Sequence, residues 1–166
     1  MKSFLSTLFV CLLMFAIVSC KPSKEDAMKY NNTIIEQQIL VVSSNDTVAS
    51  SMGSEVVKLE IAITNFNAQV TKSIDAVTKM DDFNKEATFK NAALTLFNGF
   101  KAVGETEYKE ILRLVKISNE KKTEADDEKM MATMKKIDDK LQKELEIFIK
   151  AQNDFAAKWK FQFAGK

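Results

Sequence analysis

Apolar residues occupy this chain in two different ways. From Phe4 to Val18 they run almost unbroken, whereas from residue 23 onward they recur every third or fourth position with polar residues between. The second pattern is that of helices burying one face. Ala27, Tyr30, Ile34, Gln38 and Val41 mark the first such face, just after Pro22. Ser23 and Asp26 stand at capping-box spacing in an Asp-bearing form, and Glu25 adds negative charge where the helix dipole favours it. The helical pattern fades at Ser43-Ser44-Asn45-Asp46, resumes from Val48 to Met52, and stops at a Gly53-Ser54 turn.

Three more helices follow. Val56, Leu59, Ile63, Phe66, Val70 and Val77 step by threes and fours, with Ser73 in the one missing place, until Asp81-Asp82-Phe83-Asn84 interrupts. The third carries Phe89, Ala93, Leu96, Phe100 and Val103, then drifts from Gly104 to Tyr108, Ile111, Leu112 and Val115; a glycine at the drift predicts a bend or a close helix crossing. The charged stretch Asn119 to Glu128 is the next turn, with Thr123 and Asp126 again at capping-box spacing. Met130, Met134, Ile137, Leu141, Leu145, Phe148, Phe155 and Trp159 define the fourth helix. Four amphipathic helices with short connections predict an all-α fold, an antiparallel up-down four-helix bundle. Helices of about 27 residues would make a rod roughly 40 Å long. The alternative is a pair of long helical hairpins in an extended coiled coil.

The first apolar run has another character. Behind Met1 and Lys2, it has the length of a signal-peptide core and falls short of the roughly 20 residues that span a bilayer. Ile17, Val18, Ser19 and Cys20 end it. This segment resembles the lipobox of bacterial lipoproteins. The resemblance implies cleavage before Cys20, lipid on that cysteine, and residues 1–19 as a signal peptide ahead of a single domain, 20–166. Only Lys21 and Pro22 separate Cys20 from the cap at Ser23, so the tether would reach only about 10 Å.

Charge and composition narrow the chemistry. The chain has 24 basic and 23 acidic residues, and Lys2 is the only charge in residues 1–19, so the remainder balances. Nucleic-acid binding needs clustered positive charge, which a balanced chain does not predict. Arg113 is the one arginine, which argues against bidentate clamping of anions. Cys11 would leave with the signal and Cys20 would carry lipid, so no disulfide is expected and stability must come from the core. The chain has no histidine, which excludes Ser-His-Asp catalysis, Glu-x-x-His di-iron sites and ordinary zinc sites.

Several groups are candidate sites. Met130, Met131 and Met134 are soft donors that suit Cu(I), or are gap-fillers of the core. Asp81-Asp82 and Asp126-Asp127-Glu128 lack the alternating ligands and glycine of a calcium loop, and helix starts attract acids anyway. Ser118 and Lys121 spell Ser-x-x-Lys, but without the companion motifs of penicillin-recognising enzymes. Trp159 and Phe163 share a helical face with Phe155, flanked by Lys158, Lys160 and Lys166. Tryptophan with lysines suits a membrane interface, and the alternative is that these rings close the end of the bundle. In an up-down bundle both termini lie at one end, which would set this aromatic tail near an anchored Cys20.

Three further likenesses concern processing and origin. Asp46-Thr47-Val48 resembles the O-glycosylation acceptor of Bacteroidota, with Thr47 as the modified residue. Lys24-Glu25-Asp26 resembles the signal that sends lipoproteins of that phylum to the cell surface, although the same acids cap the first helix. Tyr30-Asn31-Asn32 with Ile34, Ile35 and Gln38 resembles small helical surface lipoproteins of Bacteroidota and spirochaetes. That resemblance implies a bundle with an outer-membrane or surface home, and no reaction.

The expectation is a non-enzymatic, lipid-anchored binding or structural module of the cell envelope. It would have no cofactor beyond lipid on Cys20, and its partners would be the membrane, through that lipid, and a protein or other component of the envelope. The distal turns around Met52-Gly53 and Lys121–Asp126, or a groove between helices, are the expected ligand surface. The alternative is a small-molecule or Cu(I) carrier that uses the bundle interior.

Overall fold

The computed structural model describes residues 22–117 and 121–163, and every regular element among them is helical. The helices are α1 (Lys24–Ser51), α2 (Val56–Thr78), α3 (Thr88–Glu105), α4 (Glu107–Val115) and α5 (Glu124–Trp159). α3 and α4 are two parts of the expected third helix, so the four-helix count holds with one bend.

Both expected capping boxes are present. Ser23 Oγ accepts from the Asp26 amide at 3.1 Å while the Ser23 amide donates to the Asp26 carboxylate at 2.9 Å. Thr123 and Asp126 repeat the arrangement at 3.3 and 3.0 Å. These bonds hold both aspartates below the usual carboxylate range.

The break expected at Ser43–Asp46 does not occur: α1 runs on through Ser51. Its hydroxyls do not compete for turn conformations but fold back onto helix carbonyls. Ser44 donates to Val41 O at 2.8 Å, Thr47 to Ser43 O at 2.9 Å and Ser51 to Thr47 O at 2.7 Å. Val41 and Val48, both fully buried, pin the two sides of the stretch to the core.

The bend of the third helix falls at Thr106 (φ −121°, ψ −71°), whose hydroxyl bonds back to Ala102 O at 2.6 Å. Gly104 has a separate task. A Cβ there would run into Asn67 Oδ1 and lie 2.9 Å from Phe66 Cε1, so only glycine lets α3 approach α2 this closely. The Cα–H of Gly104 points instead at Asn67 Oδ1, a buried oxygen with no other partner among the described residues.

α1 packs along α2, α2 against α3, and α5 against α3 and α4, while α1 and α5 share only a thin seam. Between them lies one apolar core. Ile34 and Val48 reach it from α1, Leu59 and Phe66 from α2, Leu96 and Phe97 from α3, Ile111 from α4, and Ile137 and Phe148 from α5. Ser73 fills its place fully buried, donating to Gln37 Oε1 at 3.0 Å and accepting from Gln69 Nε2 at 3.0 Å, so its hydroxyl is not left unpaired. No helix among the described residues is long and apolar enough to cross a membrane.

Candidate functional site

The start of α1, the loop from 79 to 87 and the end of α5 converge at one end of the molecule. Ala27, Ala156 and Phe161 are buried together there, with Phe83, Phe155, Trp159 and Phe163 packed on them. Left-handed backbone at two places, three residues in all, builds this end. Asn84 and Lys85 (φ 50° and 66°) turn the loop so that Phe83 comes inward, its ring 5.0 Å from Tyr30, 5.4 Å from Phe155 and 4.9 Å from Trp159. At the other, Lys160 (φ 56°) takes the place glycine usually holds after a helix. The Lys160 amide then donates to Ala157 O at 3.3 Å and the Phe161 amide to Ala156 O at 3.1 Å, a Schellman closure that swings Phe161 back onto Ala156 and Ala27.

Trp159 and Phe163, the candidates for a membrane interface or for closing the end of the bundle, are half-buried members of an aromatic cluster. Trp159 meets Phe83 edge-on, and its Nε1 is buried without a partner among the described residues. Phe163 meets Phe161 edge-on at 5.8 Å. Burial, followed by the nearby Asp82 carboxylate, pushes the Tyr30 phenol above its ordinary value. Lys24, Glu25 and Asp26 are exposed in the first turn of α1 beside this end. Ile17, Val18, Ser19 and Cys20, like Cys11 and Ser118, lie outside the described residues.

The opposite end holds the methionines. Met130 and Met134 line a groove of about 280 Å³ with Met52, Leu114, Val115 and Lys122. Met131 does not join them; it is 72% exposed on another side of α5. Met52 takes its place, a residue the sequence pattern assigned to a turn rather than to the thioether group. Lys122, at the edge of this groove, pairs with Asp127 at 2.5 Å. Among the described residues, no group of three or more His, Cys, Asp or Glu side chains is placed to hold a metal ion. Thr47 is exposed on a continuous helix, and its neighbour Val48 is in the core.

Between the ends, α4 and α5 are joined by charge. Glu107, only 4% exposed, takes a hydrogen bond from Thr106 and lies 2.8 Å from Lys136 Nζ and 4.0 Å from Lys140 Nζ. Burial raises its pKa, but these donors outweigh burial and hold the carboxyl below its ordinary value. Glu110 accepts two bonds from Arg113, both at 2.9 Å, and one from Lys129 at 2.8 Å, which lower it to about 2. Tyr108 donates to Asn45 Oδ1 at 2.6 Å, and burial, then Asp138 and Asp46, push its phenol up to about 12. Nothing in the periodic pattern marked Glu107; its signal is an acid at a position the α4 face buries.

Comparison with protein-family models, with curated proteins and with solved structures finds no match for this chain.

Proposed function

We propose that this chain is a lipid-anchored, non-enzymatic module of the bacterial cell envelope, held to its membrane through Cys20 and built as an antiparallel up-down bundle. One observation carries the placement: the start of α1 packs at the same end as the aromatic cluster, through Ala27, Ala156 and Phe161. A membrane anchor seven positions before Ala27 would therefore set that end against lipid. The antiparallel order is supported by register. From the loop before α3 through α4, Glu86, Gly99, Glu107 and Glu110 meet Lys158, Glu144, Lys136 and Lys129, so the partners run backward along α5. Gln37 with Ser73, across the turn at Gly53-Ser54, gives the same sense to α1 and α2.

Metabolic labelling with a palmitate analogue tests the anchor. Label on the wild type that is lost in Cys20→Ala, with the variant leaving the membrane fraction, supports it; an unlabelled wild type overturns it. Protease shaving of intact cells tests surface display guided by Lys24, Glu25 and Asp26, and a fully protected domain sinks it. The contribution of Trp159 and Phe163 to membrane contact is tested by replacing both with Ser. Weaker vesicle binding with full helix content supports contact, whereas unfolding assigns the rings to the core alone.

The distal groove favours a second reading, a carrier of Cu(I) or a small apolar molecule, because Met52, Met130 and Met134 line one hollow. Copper analysis of protein purified from copper-supplemented cells decides it. Absence of copper removes the metal carrier.

A further inference from the structure

The thin seam between α1 and α5 opens, next to the aromatic end, into a groove of about 500 Å³, within the range of small-ligand sites. Its chemistry differs from that of the rest of the surface. Among the described residues no charged side chain lines it; five amides do, from Asn31, Asn32, Gln38, Gln152 and Gln162, with Met28, Ile35 and the rings of Phe161 and Phe163 as its apolar part.

The amides are organised. Gln152 Nε2 donates to Asn31 Oδ1 at 3.0 Å, and Asn31 Nδ2 donates in turn to Asn32 Oδ1 at 3.1 Å. Asn31 is 4% exposed, so this relay is anchored from inside the protein. It leaves the Gln152 carbonyl as an acceptor and the Asn32 amide nitrogen as a donor, a polar pair whose direction the relay fixes. Gln38 and Gln162 have side-chain amides with no protein partner among the described residues, and each can donate and accept. The Schellman closure at Lys160 holds Phe161 as a buried floor and brings half-buried Phe163 to the rim.

From this arrangement we infer that the groove binds a neutral saccharide. Sugar hydroxyls, like amides, donate and accept at once, so a row of amides matches them without charge. The face of Phe163 carries the negative side of a ring quadrupole, which attracts the polarised C–H groups of a pyranose. Peptides fit less well. A helical peptide seeks a continuous apolar groove, whereas five of the nine residues lining this one are amides, and an extended peptide adds to an open sheet edge, which the helices α1 and α5 do not offer. Among the described lining residues an anionic ligand would find no cation. The inference gives a ligand class to the binding role proposed above, yet it does not depend on acylation, so the Cys20 labelling and the titration below fail independently.

The test is titration of the full-length chain, ¹⁵N-labelled and kept soluble in lauryldimethylamine oxide, a detergent without sugar. The probes are a panel of neutral tetrasaccharides of glucose, mannose, galactose and N-acetylglucosamine, added to about 10 mM so that even binding with a Kd of about 1 mM approaches saturation. At least one probe is expected to shift the side-chain amide resonances of Asn32, Gln152 and Gln162 in a saturable way. Gln38→Ala and Gln162→Ala should each weaken that binding about 3- to 10-fold, the worth of one hydrogen bond. Phe163→Ala should weaken it at least as much, with the helical circular dichroism of all three variants unchanged. If no probe shifts these amides, or if only acidic sugars or peptides do, the saccharide groove is wrong. If binding survives in all three folded variants, the site lies elsewhere and the inference falls with it.

Discussion

The contact of α2 with α3 and the contact of α4 with α5 hold one molecule together by different physics. The first is dry: Phe66 is fully buried, edge-on to Phe100 at 6.2 Å and to Tyr108 at 5.4 Å, and Gly104 lets the two backbones close in on Asn67. The second adds to its apolar contacts, such as Ile111 and Ile137, a ladder of carboxylates and cationic groups, with Glu107 between Lys136 and Lys140 and Glu110 between Arg113 and Lys129. Shape governs the first contact, and ionisation and salt the second. The helices beyond follow suit. α1 carries only Glu36 and Asp46 as charges between Lys29 and Ser51, whereas charged residues recur throughout α5.

The comparison breaks most visibly in the dry contact. Phe66→Ala leaves a ring-sized hollow among residues that cannot collapse into it, and should cost about 3–5 kcal/mol in denaturant unfolding. Gly104→Ala puts a methyl against Asn67 and Phe66 and should cost about 1–3 kcal/mol by overpacking. Both neighbours are met at their side chains, but Phe66 and the Asn67 oxygen are buried, so neither can swing aside without disturbing the packing around it. Gly53→Ala is the control, because nothing lies within 4 Å of a Cβ at that turn. If Gly104→Ala is as harmless as Gly53→Ala, the α2–α3 contact is not governed by shape.

Much of this contrast is legible in the chain because its signals are local. The three-four spacing from Val56 to Val77 locates the buried stripe of α2, Ser73 included, and Thr123 with Asp126 marks the start of α5. The drift at Gly104 carries both of its expected meanings, the close crossing at Gly104 itself and the bend two residues on. Other features depend on partners distant in sequence. The hydroxyl-rich stretch of α1 reads as a break, since only the burial of Val41 and Val48 against other helices keeps it helical. Phe83 reads as turn punctuation between Asp82 and Asn84, yet its neighbours Tyr30, Phe155 and Trp159 come from both ends of the chain. The amide relay joins Asn31 to Gln152 across 121 positions, and no periodicity announces such a pair.

The charged contact should respond less to a single change, but to a different variable. Glu107→Gln keeps the shape and removes the charge that Lys136 and Lys140 attend, so it should cost about 1–2 kcal/mol, the difference between charge-assisted and neutral bonds. Acid should imitate it. Glu107, Glu110 and Asp126, in α4 and the first turn of α5, all titrate below their ordinary values in the folded chain. Their contribution is complete above the unfolded values and is lost as pH falls through the folded ones. The α4–α5 contact should thus weaken as pH drops from about 4.5 toward 2. Hydrogen exchange followed across that window should show α4 opening before α2, and in Glu107→Gln part of the acid response should already be gone.

Salt should produce the smallest effect and the cleanest contrast. Raising sodium chloride from about 0.1 M to about 1 M shortens the screening length from about 10 Å to about 3 Å. The pairs of Glu110 with Lys129 and of Lys136 with Glu107 have half or more of the lysine side chain in solvent, so screening reaches them. The more exposed Glu110–Lys129 pair contributes under about 1 kcal/mol, and the pair of buried Glu107 with Lys136 is screened less. Amides of α4 should therefore exchange a few-fold faster in high salt, while those of α2 around Phe66 stay unchanged or slow slightly, since dry contacts do not weaken when charges are screened. Equal acceleration in both helices would mean that the ladder and the dry core form one cooperative unit. The division between them would then belong to the contacts and not to the stability of the fold.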